Sequence, residues 1–245
     1  KFTDIRPVDD IRKLTSTYLP DINILSSVST LNNFDPILPA RFANFLNEIE
    51  SAQPENRNRY LELANVKWMA AVNPSNLQEV RWQKIDANQR IKLISCAKSV
   101  ENGTQSLEWL RTAVQQDRIK DEIVVEANTM TEPFCDNAPS TAAIIISTAS
   151  SMKQVIQING INSPAWLFVA DSWYPGWQAK VDGVTTDLYR ADYLFMAVPI
   201  PAGDHTVEIV YRPISFLIGS ILSLIGAIIL LIMSIFPKML VGEAI

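Results

Sequence analysis

Residues 214–237 read ISFLIGSILSLIGAIILLIMSIFP, an uncharged run bounded by Arg212 and Lys238. As a helix this run would be about 36 Å long, enough to cross a hydrocarbon core of about 30 Å with some tilt. A buried helix of a soluble protein is usually shorter and has polar residues along one face, which this run lacks. The sequence therefore predicts one transmembrane helix over 214–237, with a large body before it and a short tail, 238–245, after it.

The body in front of this helix carries the whole net charge of −5, because Lys238 and Glu243 in the tail cancel. No basic patch stands out in it, which argues against nucleic-acid binding driven by phosphate contacts. One Arg precedes the helix and one Lys follows it, so the distribution of positive charge hardly indicates which side the body faces. The chain begins at Lys1 without a signal-type apolar segment, and we expect that something upstream has been removed or is absent.

The first part of the body, residues 1–132, reads as a mixed α/β domain. From Pro39 onward, Phe42, Phe45, Leu46 and Ile49 recur at the spacing of one helix face, and Pro39 suits a first helical turn. The dipeptide Asn102-Gly103 marks a turn before another helix. The other expected elements are a helix at 57–63, strands at 66–72, 89–100 and 122–126, and a helix with Leu107, Leu110 and Val114 on one face.

The second part, residues 133–213, changes to an alternation of period two, beginning near Phe134. The pair Asp182-Gly183 between two short apolar runs predicts a tight hairpin, since both central positions of such a turn favour positive φ. Strands at this spacing without helices between them indicate an antiparallel β-sandwich lying directly before the membrane helix. The expected strands are 142–146, 154–158, 165–170, 178–181, 193–198 and 206–211.

The two cysteines, Cys96 and Cys135, are 39 positions apart and fit no metal-binding spacing. They either pair in an oxidising compartment outside the cytoplasm or remain two buried thiols.

Several motifs carry a resemblance to a known family. Segments near the C-terminus read ADSWYPGW at 170–177, VDG at 181–183, YRADYLF at 189–195 and PAGDHTVEIVYRP at 201–213. Upstream, LNNFDP at 31–36 and LANVKW at 63–68 are similar to "NGYDP" and "LNVKY" segments in the same order. Together the motifs resemble the C-terminal part of YfhO-like bacterial membrane proteins, over most of the chain.

This resemblance implies a polytopic protein related in architecture to glycosyltransferases that use lipid-linked sugars. It also implies an inner-membrane location, with the bulk of the chain extracytoplasmic and the C-terminus cytoplasmic. The catalytic residues of such transferases lie among the many N-terminal spans of that family, which residues 1–245 do not include. We therefore expect either a fragment of a longer protein or a shortened relative that has lost the catalytic half. No catalytic residue is therefore carried over to this sequence.

An aromatic cluster in the second part is the best candidate for ligand contact. Flat rings with a polar edge suit both carbohydrates and protein interfaces, although aromatic residues at strand spacing more often fill a core. The candidate contact residues for a carbohydrate or a partner are Trp173, Tyr174, Trp177 and Tyr193, with Tyr189 and Phe195 beside them.

The remaining polar residues do not form a recognisable catalytic or metal site. His205 stands alone, with no serine elbow and no metal spacing around it. Five aspartates in the same stretch show no calcium-loop spacing and are better explained as turn or solvated carboxylates. We therefore expect no catalytic residue, metal or cofactor in this chain. These aspartates are Asp171, Asp182, Asp187, Asp192 and Asp204.

The membrane helix carries small residues at a spacing of four, Gly219, Ser223 and Ala227, with Gly226 beside them. Small residues allow another helix to approach closely, although Gly and Ser are common in any membrane span. We expect this stripe to face a helix of another membrane protein.

Two functions fit these observations. The first is a non-catalytic accessory subunit, held by one helix within a larger membrane complex. The second is the C-terminal, substrate-guiding domain of a polytopic glycosyltransferase that uses a lipid-linked sugar. The expected fold is the same in both cases: an α+β extracytoplasmic domain, a membrane-proximal antiparallel β-sandwich and one C-terminal transmembrane helix.

Overall fold

The computed structural model describes residues 31, 38–73, 76–87, 89–127, 142–150 and 152–235. They fall into two compact units that interleave along the chain. The first unit comprises described residues from 1–142, 160–173 and 188–203, and the second those from 143–159, 174–187 and 204–245. The expected division after residue 132 remains a prediction, because it falls within 128–141, outside the described residues.

Among the described residues of the first unit, three helices begin where local chemistry favours a first turn. Helix α1 (Ala40–Ser51) follows Pro39 and buries Phe45 and Ile49, as its apolar spacing predicts. Helix α2 (Pro54–Leu63) begins three residues before the expected start, because Pro54 is itself suited to a first helical turn. Helix α3 (Gly103–Gln115) is capped by Asn102, whose Oδ1 accepts from the backbone N–H groups of the second and third helical residues at 3.1 Å.

Thirteen strands are found in the described part of the chain. Their bounds are β1 (Trp68–Asn73), β2 (Asn76–Lys84), β3 (Ile91–Ile94), β4 (Cys96–Val100), β5 (Glu122–Glu126), β6 (Ala143–Ala149), β7 (Lys153–Ile161), β8 (Ala165–Val169), β9 (Trp177–Val181), β10 (Val184–Thr186), β11 (Tyr189–Ala191), β12 (Phe195–Ile200) and β13 (Gly203–Tyr211). Strands β1 and β2 form a separate antiparallel hairpin.

A six-stranded sheet in the order β3-β8-β12-β11-β5-β4 forms the centre of the first unit. Its pairs are antiparallel except β4 and β5, which are parallel and connected by α3. The strand expected over 89–100 is in fact two strands at opposite edges of this sheet, with only Ser95 between them. Ile94 and Ala97 are both buried although three positions apart, so the alternation of faces breaks at Ser95. The sheet must therefore curl until its two edges meet there.

The core of the first unit forms where α1 packs on this sheet. The Phe45 ring makes edge contacts with Tyr60 and Phe195, at centroid distances of 5.8 and 5.5 Å. Phe195 in turn contacts Phe168 of β8 at 5.6 Å. Edge-to-face pairs of this kind add to the free energy gained by burying the rings.

A five-stranded sheet in the order β10-β9-β13-β7-β6 forms the second unit. The Asp182-Gly183 hairpin is confirmed: the two residues have φ of 51° and 82°, and Val184 pairs with Val181. In β7 every second residue from Gln154 to Ile158 is buried, and in β13 Val207 and Ile209 are buried, the pattern expected of half-buried strands.

Two features of the second part differ from the expectation. Strands β8 and β12, expected in a sandwich with the others, pair instead in the six-stranded sheet of the first unit. Strand β12 begins at Phe195 rather than at Tyr193, because Asp192 and Tyr193 adopt φ of 44° and 71°, a turn conformation that excludes them from a strand. The membrane-proximal sandwich itself stays a prediction.

The C-terminal apolar helix is confirmed as α4 (Ile214–Ile235). Within it, Ile214–Ser234 has a mean hydropathy of 2.8 and none of it is buried. Residues 236–245, including the expected tail, lie outside the described part of the chain.

Candidate functional site: a helix groove and an aromatic–arginine cluster

An open groove of about 940 Å³ runs along α4 from the end of β13. The small-residue stripe forms its floor, with three of the four predicted helix-packing residues, Gly219, Ser223 and Ala227, among its lining. Gly226 is not part of the lining. Tyr211, Pro213 and Phe216 line the groove where α4 begins.

The stripe has room for a close neighbour. A Cβ atom added at Gly219 or Gly226 would meet no atom within 4 Å. The bulky residues on the opposite side of α4, such as Ile221 and Ile228, are about half exposed, at 50 and 47%. Small residues on one side and branched ones on the other are typical of a membrane helix that packs closely along its small side.

The beginning of α4 is joined to the sheet by two contacts. The Arg212 N–H donates to the Gly176 carbonyl at 2.7 Å, and the rings of Trp177 and Tyr211 lie 5.1 Å apart. Trp and Tyr favour the boundary between lipid and water, and this pair lies immediately before the apolar helix.

In the first unit, two arginines contact two of the predicted aromatic residues. The Arg190 Cζ lies 4.1 Å from the centre of the Trp173 ring, and the Arg41 Cζ lies 5.1 Å from that of Tyr193. The backbone N–H of Trp173 donates to the Leu194 carbonyl at 2.8 Å, which ties these two segments together. The other two predicted contact residues, Tyr174 and Trp177, belong to the second unit.

Glu126 at the end of β5 links the two arginines. Its two carboxylate oxygens accept from the two terminal nitrogens of Arg41, one of them at 2.9 Å, and Arg190 Nη1 lies 3.4 Å from Oε2. Burial, followed by repulsion from Arg41, lowers the pKa of Arg190. One carboxylate faces two guanidinium groups, so the cluster keeps one positive charge beside the Trp173 ring.

The same contacts hold the turn that precedes β12. The Tyr193 hydroxyl accepts from Asn44 Nδ2 at 2.9 Å, its carbonyl accepts from Arg41 Nη1 at 3.1 Å, and the residue is only 5% exposed. Tyr193 is therefore committed to packing within the first unit, whereas Trp173 remains half-buried beside the charge.

Asp171, Asp182 and His205, singled out in the sequence, form separate local contacts and do not come together in one site. Asp171 accepts from Arg90 through both carboxylate oxygens, at 2.9 and 2.5 Å. Asp182 accepts from the Thr206 N–H at 2.8 Å and contacts His205 Nδ1 at 2.7 Å, which lowers the pKa of that carboxyl. Among the described residues, no group of three His, Cys, Asp or Glu side chains is placed to hold a metal ion.

Asp192 is the one fully buried carboxyl among these residues. Its Oδ1 accepts from the Val124 N–H at 2.9 Å, and its own N–H donates to the Val124 carbonyl at 2.8 Å. Burial raises the pKa of Asp192 to about 7, against the opposing influence of the Val124 hydrogen bond and of Lys92. The paired contacts fix the turn to β5, and the second carboxylate oxygen, Oδ2, is buried without a hydrogen-bond partner among the described residues.

Cys96 in β4 is disulfide-bonded. Cys135, the other cysteine of the sequence, lies outside the described residues.

Comparison with known proteins gives one family. The model of the family described as bacterial membrane protein YfhO matches residues 46–223. A protein of Bacillus subtilis (strain 168), described as uncharacterized protein YfhO, is 37% identical over 51 residues, which are 21% of this chain and 6% of that protein. This chain therefore matches only a small part of the relative, which is about three and a half times as long, by the ratio of 21% to 6%. No solved structure matches.

Proposed function

This chain belongs to the YfhO family of bacterial membrane proteins, and from that premise we propose that it is a non-catalytic accessory subunit of a larger membrane complex. The observation that carries the proposal is the groove along α4, whose small-residue floor is left open. Lipid tails gain little by entering such a groove, whereas a second helix gains close van der Waals contacts along it. The proposed occupant is therefore a transmembrane helix.

The body in front of α4 is proposed to lie outside the cytoplasm. The disulfide of Cys96 supports this placement, because disulfides persist in oxidising compartments and are rare in the cytoplasm. The C-terminus would then lie in the cytoplasm, beyond α4.

Protease added to intact spheroplasts is expected to degrade the body and spare α4, because an extracytoplasmic body is accessible without lysis. In parallel, denatured protein from acid-quenched cells should react with a maleimide polymer only after reduction. Digestion that requires lysis, together with labelling of unreduced protein, would place the body on the cytoplasmic side.

A photo-crosslinking residue at Ser220, which lines the groove, is expected to give an adduct with a partner helix in intact membranes. The pair Gly219→Leu, Ser223→Leu fills the floor of the groove and should lower the adduct about tenfold, equivalent to losing about 1–2 kcal/mol of packing. Insertion should be unaffected, because both changes raise hydrophobicity.

The matched control adds comparable bulk to the opposite side of the helix, as Ile221→Phe, Ile228→Phe, and should leave the adduct unchanged. An adduct that survives the leucine pair would mean that α4 is only an anchor.

A second candidate function is the C-terminal, substrate-guiding domain of a polytopic glycosyltransferase that uses a lipid-linked sugar. The length of the Bacillus relative favours it, because that protein has room for many further spans. The positive charge beside Trp173 also suits a sugar carrying a phosphate. Mass spectrometry of the Ser220 adduct separates the two functions: a separate protein indicates the accessory subunit, whereas a helix of the same polypeptide indicates the transferase.

A further inference from the structure

The β1–β2 hairpin exposes two tryptophans on one of its faces. The register places Trp68 opposite Lys84, and Ala70 opposite Trp82. Residues 68 and 70 lie on one face of β1, and directly paired residues share a face, so Trp68 and Trp82 are diagonal neighbours. Their exposed fractions are 55 and 43%.

The other face of the hairpin is the one that packs on the protein. Met69 lies on that face, next in sequence to Trp68, and packs against the core of the first unit. The hairpin is thus held in place by one face while the other presents two large rings. Exposed tryptophans placed side by side are unusual on a protein surface and mark contact with an apolar or interfacial partner.

The charge of this segment is opposite to that of the chain. Residues 66–85 contain Lys67, Arg81 and Lys84 against the single acid Glu79, a net charge of +2 in a chain whose net charge is −5. Lys84 is exposed, pairs with Trp68 and lies on the face of the two tryptophans. Lys67 is also exposed, but it precedes β1 on the side of Met69. Tryptophan rings favour the headgroup level of a bilayer, and lysines beside them are attracted to anionic lipids.

We propose that the β1–β2 hairpin binds a surface of anionic lipid headgroups and gives the protein a membrane contact additional to α4. Trp68 and Trp82 enter the headgroup region and Lys84, on the same face, contacts the lipid phosphates. Lys67, at the edge of the hairpin, adds positive charge that attracts the anionic surface. The proposal does not depend on the occupant of the α4 groove. Because α4 holds the chain at a bilayer, the hairpin meets lipid at a high effective concentration, and a weak contact is enough.

The test uses the full chain in nanodiscs that contain lipids brominated near the headgroup, which quench nearby tryptophans. None of the six tryptophans lies in α4, and Trp177, beside the start of this helix, contributes a background quenching that all the variants share. Quenching is expected to be stronger in discs with phosphatidylglycerol than in discs of phosphatidylcholine alone. The double variant Trp68→Phe, Trp82→Phe should lose the additional quenching seen in phosphatidylglycerol discs, whereas Trp109→Phe in α3 should keep it.

A second variant tests the charges with both rings in place. Lys67→Gln, Lys84→Gln should reduce quenching in phosphatidylglycerol discs to the level in phosphatidylcholine, and added salt should do the same in the wild type, since salt screens exposed charges. Far-UV circular dichroism checks that the variants fold. Equal quenching of the wild type in the two lipids, or quenching that the phenylalanine pair leaves unchanged, would overturn the proposal.

Discussion

Asp192→Asn is expected to remove a loss of stability that the wild type suffers between about pH 4 and pH 7. The Asp192 carboxyl is fully buried, and burial raises its pKa from an ordinary value of 3.8 to about 7. The folded state therefore keeps this proton over a range in which the unfolded chain has lost it. The contribution of this group to stability is complete below about pH 4, falls as the pH rises, and is lost above about pH 7.

A pKa difference of three units corresponds to about 4 kcal/mol of unfolding free energy. Because asparagine resembles the protonated acid, the free energy of unfolding of the variant should exceed that of the wild type by roughly this amount at pH 8. Asparagine also tolerates the φ of 44° at this position. The measurement is the urea midpoint of the full chain in detergent at pH 4.5, 6 and 8. Tryptophan fluorescence is the readout, and it reports only on the body.

Asp182→Asn provides a control with the opposite sign. Asp182 also has a positive φ, but it is exposed and its pKa is lowered, first by the Thr206 N–H and then by His205. Its contribution is present above the unfolded pKa and is lost as the pH falls, so this variant should lose stability at pH 8. A wild type whose midpoint rises from pH 4.5 to 8, with no gain from Asp192→Asn, would contradict the assignment to Asp192.

Gly176→Ala is expected to destabilise the second unit by about 3 kcal/mol, the combined cost of an unfavourable backbone angle and of overpacking. Gly176 has a φ of 115°, and a Cβ atom there would lie 2.8 Å from the Pro213 Cα and 2.9 Å from its nitrogen. These are backbone atoms, which no change of side-chain rotamer can move away. The loop before β9 or the start of α4 must shift instead.

Gly183→Ala separates the two causes. Its φ of 82° carries a similar backbone cost, but an added Cβ meets no atom within 4 Å, so a loss of about 1 kcal/mol is expected. The measurement is again the urea midpoint of the full chain. Equal losses at the two glycines would show that the contact with Pro213 is not important.

Local features of the fold could be predicted from the sequence. The helix after Pro39, the helix after the Asn102-Gly103 turn, the Asp182-Gly183 hairpin and the apolar span each depend on residues within a few positions of one another. Such features are determined by backbone preference and by the period of the apolar residues.

Strand pairing could not be predicted in the same way. A period of two shows that a segment has two faces, but it does not identify the neighbouring strand. Strands β8 and β12 therefore looked like members of a local sandwich, although β8 pairs with β3, some 75 positions earlier in the chain. The break at Ser95 is visible in the sequence only as apolar residues three apart, at Ile91, Ile94 and Ala97.

For the candidate sites too, the local patterns could be predicted and the long-range contacts could not. The stripe on α4 follows from spacing alone, and the structure places a groove over three of its four residues. The contacts that surround Trp173 and Tyr193 were missed because they join residues far apart in the sequence. Arg41 lies 152 positions from Tyr193 and 85 positions from Glu126. A local signal was Arg190, which stands next to Tyr189 in the motif YRADYLF at 189–195.

The connection between β13 and α4 has a mechanical consequence. Only Arg212 and Pro213 separate the strand from the helix, the Arg212 N–H is bonded to the Gly176 carbonyl, and Pro213 packs against Gly176 itself. Because this connection is short and tightly packed, α4 has little freedom to rotate relative to the end of the sheet, and the two must move together. Any rotation or tilt of α4 in the bilayer, including one caused by a helix entering its groove, is therefore transmitted as torque to β9 and β13.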